Sequence, residues 1–323
     1  MSIPLSRETV RAKAAKIRGD GTVPSNSWFK RYVRRNSDTL VFKKPSGLDP
    51  KRAKGFNRPT VEAHLAEFET MLREFEIPWE NVYNMDEKGI QLGGGRKGSQ
   101  RKFLFSREQR ERYKIKSDDL ELVTVIEAVC ADGMAPIKPG FVLQGGDLGE
   151  WWAVPGVGSV AITDNGWTSN WVCEKWFIEV FIPQAQARNT SGKPIVLLYD
   201  GHGSHVTDEM MDAAFEHKIF LFCLPPKTTH KLQPLDVGVF HPIQTAWEKQ
   251  SELRAVQGRP ISRATVVEEY MKIRDEGMKE GTITQAWRRS AHRPVDPDIF
   301  TDDDYGPSKI SSIRAQVPHS YPE

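Results

Sequence analysis

Three aspartates stand where chemistry could be done. Asp200 closes the apolar run Ile195 to Tyr199, which reads as a strand buried on both faces, and a Gly-His-Gly turn follows it. Ligands collect beyond the carboxyl ends of strands in open α/β sheets, so this acid sits where a site can be built. Asp236 follows the Pro225-Pro226 stop and the loop Lys227 to Leu235, at the start of a helix on which Val239, Ile243 and Trp247 share a face. Asp86 ends the short alternating stretch Asn81 to Met85, a strand expected to carry it into a turn. There are 113 residues between Asp86 and Asp200 and 35 between Asp200 and Asp236. Carboxylates without a thiolate suit oxygen-preferring Mg²⁺ or Mn²⁺ rather than zinc, which leaves His202 and His205 to hydrogen-bond a carboxylate or a water. Taken singly, an aspartate after a strand also serves as a turn former or a helix cap. Glu87 would face away from Asp86 if the strand continues, which gives it a supporting role. A Ser204–His205–Asp triad lacks the nucleophile-elbow pattern.

The surrounding residues carry a family resemblance. YNMDEKG at Tyr83 to Gly89, LLYDGHGSH at Leu197 to His205 and LPPKTTHKLQPLD at Leu224 to Asp236 resemble the three acidic motifs of DDE-superfamily transposases, in particular the pogo/Tigger group that includes centromere protein B. The resemblance spans Trp28 to Pro297. It implies an RNase H-like catalytic domain in which Asp86, Asp200 and Asp236 are both catalytic and metal-binding. It implies DNA as partner, a homodimer on that DNA, and two Mg²⁺ or Mn²⁺ ions as cofactors. In-line cutting of a phosphodiester needs both the attacking and the leaving oxygen stabilised, and two hard cations about 3.5–4 Å apart do this. The function implied is DNA cleavage and strand transfer; the alternative is a domesticated descendant that binds DNA without cutting it.

Those acids require a particular set of elements. Strands at Leu122 to Ala128 and Ile137 to Leu143, joined by the turn Ala131-Asp132-Gly133, would form an antiparallel group with the Asp86 strand. The Asp200 strand and the strand Ile219 to Leu224 would add the parallel part of a mixed five-stranded sheet flanked by helices, over residues 81–297. Helices are expected at Thr207 to Phe215, Trp171 to Val180 and around Val266, Val267, Tyr270 and Ile273. The segment Gly145 to Asn170, with Trp151, Trp152 and Trp167, has weak periodicity and reads as a loop whose tryptophans pack on the core. In residues 46–80, Val61, Leu65, Phe68, Leu72 and Phe75 define an amphipathic helix. From Asp298 the chain is polar, and residues 298–323 are expected to be a disordered tail.

The first 45 residues read differently. A helix over Ser6 to Arg18, with Val10, Ala14 and Ile17 on one face, stops at Gly19-Asp20-Gly21. A second follows Pro24, capped by Ser25 or Ser27, burying Trp28, Phe29, Tyr32 and Val33 and leaving Lys30, Arg31, Arg34 and Arg35 for solvent or phosphate. This all-α outline is a partial helix-turn-helix. It resembles the end of the DNA-binding region of centromere protein B-like transposases, whose full form has two such units, and sequence-specific binding is expected to be curtailed accordingly. Arg96 and Lys97, at the tip of a Gly-rich loop that fails the P-loop pattern, are further candidates for DNA contact.

The net charge of +2 conceals an asymmetry: residues 1–58 carry 15 Lys/Arg against 4 Asp/Glu, whereas the remainder carries 30 against 39. A basic arm ahead of an acidic body separates phosphate-backbone binding from chemistry. The cluster Pro50-Lys51-Arg52-Ala53-Lys54 resembles a nuclear-import signal, so the nucleus is the expected location. Cys130, Cys173 and Cys223 have neither disulfide nor zinc spacing. No apolar run approaches a membrane span and no secretory leader opens the chain.

Overall fold

The computed structural model describes residues 5–19, 21–43, 49–92, 121–146, 149–201 and 206–313. The chain divides into two compact units, residues 1–54 with 302–323, and residues 55–301.

The smaller unit is helical. Helix α1 (Arg7–Arg18) starts where Ser6 Oγ accepts from the Thr9 amide at 3.2 Å, and ends at Gly19 with φ 76°, a left-handed cap that glycine adopts without strain. Ser25, rather than Ser27, caps α2 (Asn26–Arg35) through the Trp28 amide. Arg11 ties the two together, donating to the Pro24 carbonyl and to Asn26 Oδ1. On α1 the buried residue is Ala15, while Ile17 is 87% exposed, so the face expected from Val10, Ala14 and Ile17 is rotated. Helix α3 (Pro50–Gly55) closes this stretch, and α12 (Asp302–Ile313) lies where a disordered tail was expected. Aspartates at 302, 303 and 304 favour its N-terminus, and Tyr305 is buried.

The larger unit is built on a sheet. Helix α4 (Arg58–Glu74) opens with Asn57 as cap and Pro59 in its first turn. It buries Val61, Leu65 and Phe68 of the expected stripe and adds His64, whereas Leu72 is half-buried and Phe75, at the C-cap, is exposed. The strands are β1 (Val82–Gln91), β2 (Leu122–Cys130), β3 (Gly140–Gln144), β4 (Ser159–Thr163), β5 (Ile195–Asp200) and β6 (Ile219–Leu224). Their order is β4-β3-β2-β1-β5-β6. β1 runs antiparallel to β2 and parallel to β5, and β5 runs parallel to β6. The sheet is mixed as expected, but it has six strands rather than five. The added strand is β4, parallel to β3, within the segment read as a loop. Its five residues are all half-buried, so no alternation marks it.

One face of the sheet carries α5 (Asn170–Trp176), a π-helical turn Phe177–Phe181, α6 (Ile182–Arg188) and α7 (Asp208–Glu216). Tyr83, Met85, Ile126, Ala128, Ile195 and Leu197 pack there with Trp176, Phe177 and Phe181. After the short α8 (Thr229–Leu232), a second π-helical turn (Leu235–Val239) runs into α9 (Phe240–Val256), followed by α10 (Val266–Gly277) and α11 (Glu280–Arg289). Trp151 is buried as expected, donating Nε1–H to the Arg263 carbonyl at 2.9 Å, whereas Trp152 and Trp167 are exposed.

Candidate active site

Strand parity decides which acids share a face. β1 and β5 pair in register at Tyr83 with Leu197 and Asn84 with Leu198. Asp86 and Asp200 each lie two residues beyond the Asn84–Leu198 pair, so both side chains leave the sheet on the side of Asn84. The turn expected after Asp86 does not form: β1 continues to Gln91 because β2 pairs with it throughout, with Asp86 directly opposite Glu127. Continuation puts Glu87 on the other face, where the Cys173 thiol of α5 donates to its Oε1 at 3.3 Å. Burial and the Glu87 carboxylate push that thiol's pKa up, so it stays protonated.

Asp236 reaches the same face from another direction. The chain before it is strapped to β1: Gln233 Nε2 donates to the Met85 carbonyl at 2.9 Å and the Leu235 amide donates to Asn84 Oδ1 at 3.1 Å. Asp236 then sits exposed in the π-helical turn. Wide turns of this kind recur at functional sites because they re-aim side chains within a helix. The turn sits tightly on α11, where a Cβ on Gly238 would lie 2.5 Å from Ala286 Cβ, so glycine is required. Glycine is also required immediately after Asp200, since a Cβ on Gly201 would come within 2.0 Å of Cys223 Sγ.

Desolvation, and next the Asp236 carboxylate, raise the Asp86 pKa well above its ordinary value. A carboxyl whose pKa is raised by folding contributes most stability below its unfolded value and loses that contribution as pH rises, so at neutral pH the metal-free chain is destabilised at Asp86. Asp86→Asn is therefore expected to raise the melting temperature in EDTA. Stabilisation of about 0.5–2 kcal/mol is usual for relieved sites, and each kcal/mol moves a domain of this size by about 2–4 °C. Thermal melts with and without excess Mn²⁺ check this: the ion should raise wild type and leave the variant almost unmoved. A lower melting point in EDTA would mean that the repulsion is not the dominant effect.

The residues fit a hard divalent cation. The set consists of carboxylate oxygens and the buried Gln233 Oε1, which has no hydrogen-bond partner in the structure. The one thiol beside Asp200, Cys223, has its pKa raised by burial and by that acid, which disfavours a thiolate ligand. Among the described residues no three His, Cys, Asp or Glu side chains form a ready-made metal cage. Mg²⁺ does not need one, because it keeps several waters and takes only one or two protein carboxylates.

Glu127 escaped sequence reasoning. It is fully buried, directly across from Asp86, and therefore on the acid face. Arg274 of α10 grips it: Nε donates to Oε1 at 2.9 Å and Nη2 to Oε2 at 2.8 Å, while Tyr270 Oη donates to Oε1 at 2.9 Å. The only sequence signal was one charge in the otherwise uncharged strand LVTVIEAVC. Of the other candidates, Lys30, Arg31, Arg34 and Arg35 are exposed on α2. His202, His205, Arg96 and Lys97 lie outside the described residues.

The profile of the DDE superfamily endonuclease family matches residues 121–287, about half of the chain, a stretch that includes Asp200 and Asp236 and begins after Asp86. Among solved structures, the fold is similar to a pre-cleavage Mos1 transpososome, with a TM-score of 0.57 and 12% identity over 92% of this chain and 74% of that one. It is also similar to the mariner Mos1 paired end complex with Mg, with a TM-score of 0.50 and 12% identity over 92% and 82% of the two chains. The corresponding complex with Mn gives a TM-score of 0.50 and 13% identity over 91% and 78%. At such identity the likeness is one of fold, a six-stranded RNase H-like sheet flanked by helices. A protein of Cochliobolus lunatus named MFS-type transporter clz9 is 31% identical over 262 residues, which are 77% of this chain and 27% of that protein. The chain thus spans little more than a quarter of that relative. No helix among the described residues is long and apolar enough to cross a membrane.

Proposed function

Because the chain belongs to the DDE superfamily endonuclease family, we propose that it cleaves DNA phosphodiesters and transfers the freed strands, with Asp86, Asp200 and Asp236 as the catalytic acids. The observation that carries this reading is the convergence of Asp86 and Asp200 on one sheet face with the turn that bears Asp236 strapped to it. These three would hold two Mg²⁺ or Mn²⁺ ions, which when bound would supply the positive charge that an in-line displacement needs at its attacking and leaving oxygens.

The chain's own contribution is placement. β1 and β5 hold two acids on neighbouring strands, and the turn brings a third whose negative charge disfavours ionisation of Asp86 until that charge is offset. The exposed Lys30, Arg31, Arg34 and Arg35 supply a basic face for phosphates. We assign the chain to the pogo/Tigger group on YNMDEKG, LLYDGHGSH and LQPLD, with a partial helix-turn-helix in α1 and α2. Action on two DNA ends would require a second copy. Lys51, Arg52 and Lys54, all exposed, support import into the nucleus.

Supercoiled plasmid incubated with the purified protein and Mg²⁺, Mn²⁺ or EDTA tests the reading. Nicking should require the metal and fall at least ~10³-fold in Asp200→Asn, the scale of loss when a central catalytic group is removed. DNA binding in EDTA should persist in that variant and weaken steeply with salt. Cleavage that survives Asp200→Asn would refute the assignment.

A further inference from the structure

We infer that Asn84 is the positioning residue that sets the three acids in register, an assignment that rests on the cleavage reading above. Asn84 is completely buried on β1, two residues before Asp86. Its Oδ1 accepts from the amide of Leu235, the residue before Asp236, at 3.1 Å. Its Nδ2 donates to the carbonyl of Leu198, two residues before Asp200, at 3.0 Å, and to the carbonyl of Met85 at 3.3 Å. A single planar amide thus bonds the backbone within two residues of all three acid-bearing positions.

The chemistry of the side chain explains the choice. Three backbone partners of opposite kinds demand one acceptor and two donors in a plane, which only a carboxamide offers, and the shorter asparagine fits a strand position where the partners lie close. Asparagine is a poor strand former, and a buried amide costs stability unless it is hydrogen-bonded, so packing alone does not account for it here. Paired register between β1 and β5 ends at Asn84 and Leu198, and the side chain takes over the linkage where the ladder stops. Gln233 adds a second strap to the same place, donating to Met85 O at 2.9 Å. Sites that hold small hard cations tolerate only about 0.5 Å of misplacement, so loosening this clasp should be read first in the metal requirement.

The test uses the full chain with Asn84→Leu, which keeps the volume and deletes every bond, Asn84→Ser, which is small and polar, and, for comparison, Gln233→Met, which cuts the second strap together with Oε1 of the ion-binding set. The readouts are the Mn²⁺ concentration for half-maximal plasmid nicking, the rise in melting temperature caused by Mn²⁺, and DNA affinity in EDTA. Folded Asn84 variants should need at least ~10-fold more Mn²⁺, with DNA affinity within about twofold of wild type; Gln233→Met, which also loses an oxygen of the ion-binding set, should shift in the same direction. A residue that merely supports the fold would lower the melting temperature and leave the Mn²⁺ requirement where it was, which would overturn the assignment. If Asn84→Leu fails to fold, Asn84→Ser decides on the same readouts. Wild type that responds to Mn²⁺ without nicking DNA would sink the cleavage reading alone, and the Mn²⁺ response of the variants would still judge Asn84. Wild type that neither nicks nor responds to Mn²⁺ would overturn both.

Discussion

Arg274→Met should cost the larger unit about 3–5 kcal/mol, the usual penalty for stripping one partner from a buried ion pair. Glu127 has no access to water, sits in an apolar strand, and takes most of its compensation from the two guanidinium nitrogens. Methionine preserves much of the arginine stem's packing but leaves only Tyr270 Oη to satisfy the carboxylate. The charge must then be neutralised by a proton, or be exposed by movement of β2. For a domain of this size the melting temperature should fall by about 6–20 °C, measurable by scanning calorimetry. The double substitution Glu127→Gln with Arg274→Met should recover part of the loss, because no full charge is left behind. A fall of under about 1 kcal/mol in the single variant would show that the pair contributes little.

Acid should unfold the protein through a different pair. His64 Nε2 and His292 Nε2 lie 3.1 Å apart, both buried, against the rings of Phe68, Phe222 and Trp287. Ser290 donates its only hydroxyl proton to the Trp287 carbonyl at 3.0 Å, so its oxygen can only accept from His292 Nδ1–H. His292 Nε2 is then the lone-pair side, and His64 Nε2–H donates to it. A proton added to His292 would set two N–H groups against each other. Burial lowers the His64 pKa from 6.5 to about 4, and burial together with His64 lowers that of His292. A depressed histidine contributes stability that is complete above the unfolded value and is lost as pH falls toward the folded one. Between pH 7 and pH 5 His64 alone should account for about 2 kcal/mol, and His292 adds in the same direction. Urea unfolding at the two pH values measures this. His64→Gln, which keeps an N–H donor and cannot titrate, should shrink the difference; an unchanged difference would place the sensitivity elsewhere.

These pairs also mark the limit of what could be read without coordinates. Asp86, Asp200 and Asp236 were legible as a set because each lies inside a motif whose neighbours are unusual together. Glu127 was not, because one charge in an apolar strand looks the same whether it faces solvent or an arginine 147 residues away. His64 occupies a core position on α4 at ordinary helical spacing, and only the fold shows that it meets His292. Strand β4 was missed because a half-buried edge strand among glycines and tryptophans has no period to detect. The length of β1 past Asp86 was missed for a related reason, since Glu87, Lys88 and Gly89 suggest a turn locally and are held extended by β2.

The sheet's other border has a consequence for solubility. β6 is the last strand in the order, and its sequence, Ile-Phe-Leu-Phe-Cys-Leu, is six uncharged apolar residues with no proline. Such a hexamer is the composition of a cross-β nucleus, and before the fold closes nothing in its own side chains discourages stacking against copies of itself. The residues on either side do that instead: Lys218 immediately before it, and Pro225, Pro226 and Lys227 immediately after. A charge at one end and two prolines and a charge at the other are gatekeepers, and they keep a strand that the catalytic sheet needs from becoming the seed of an aggregate.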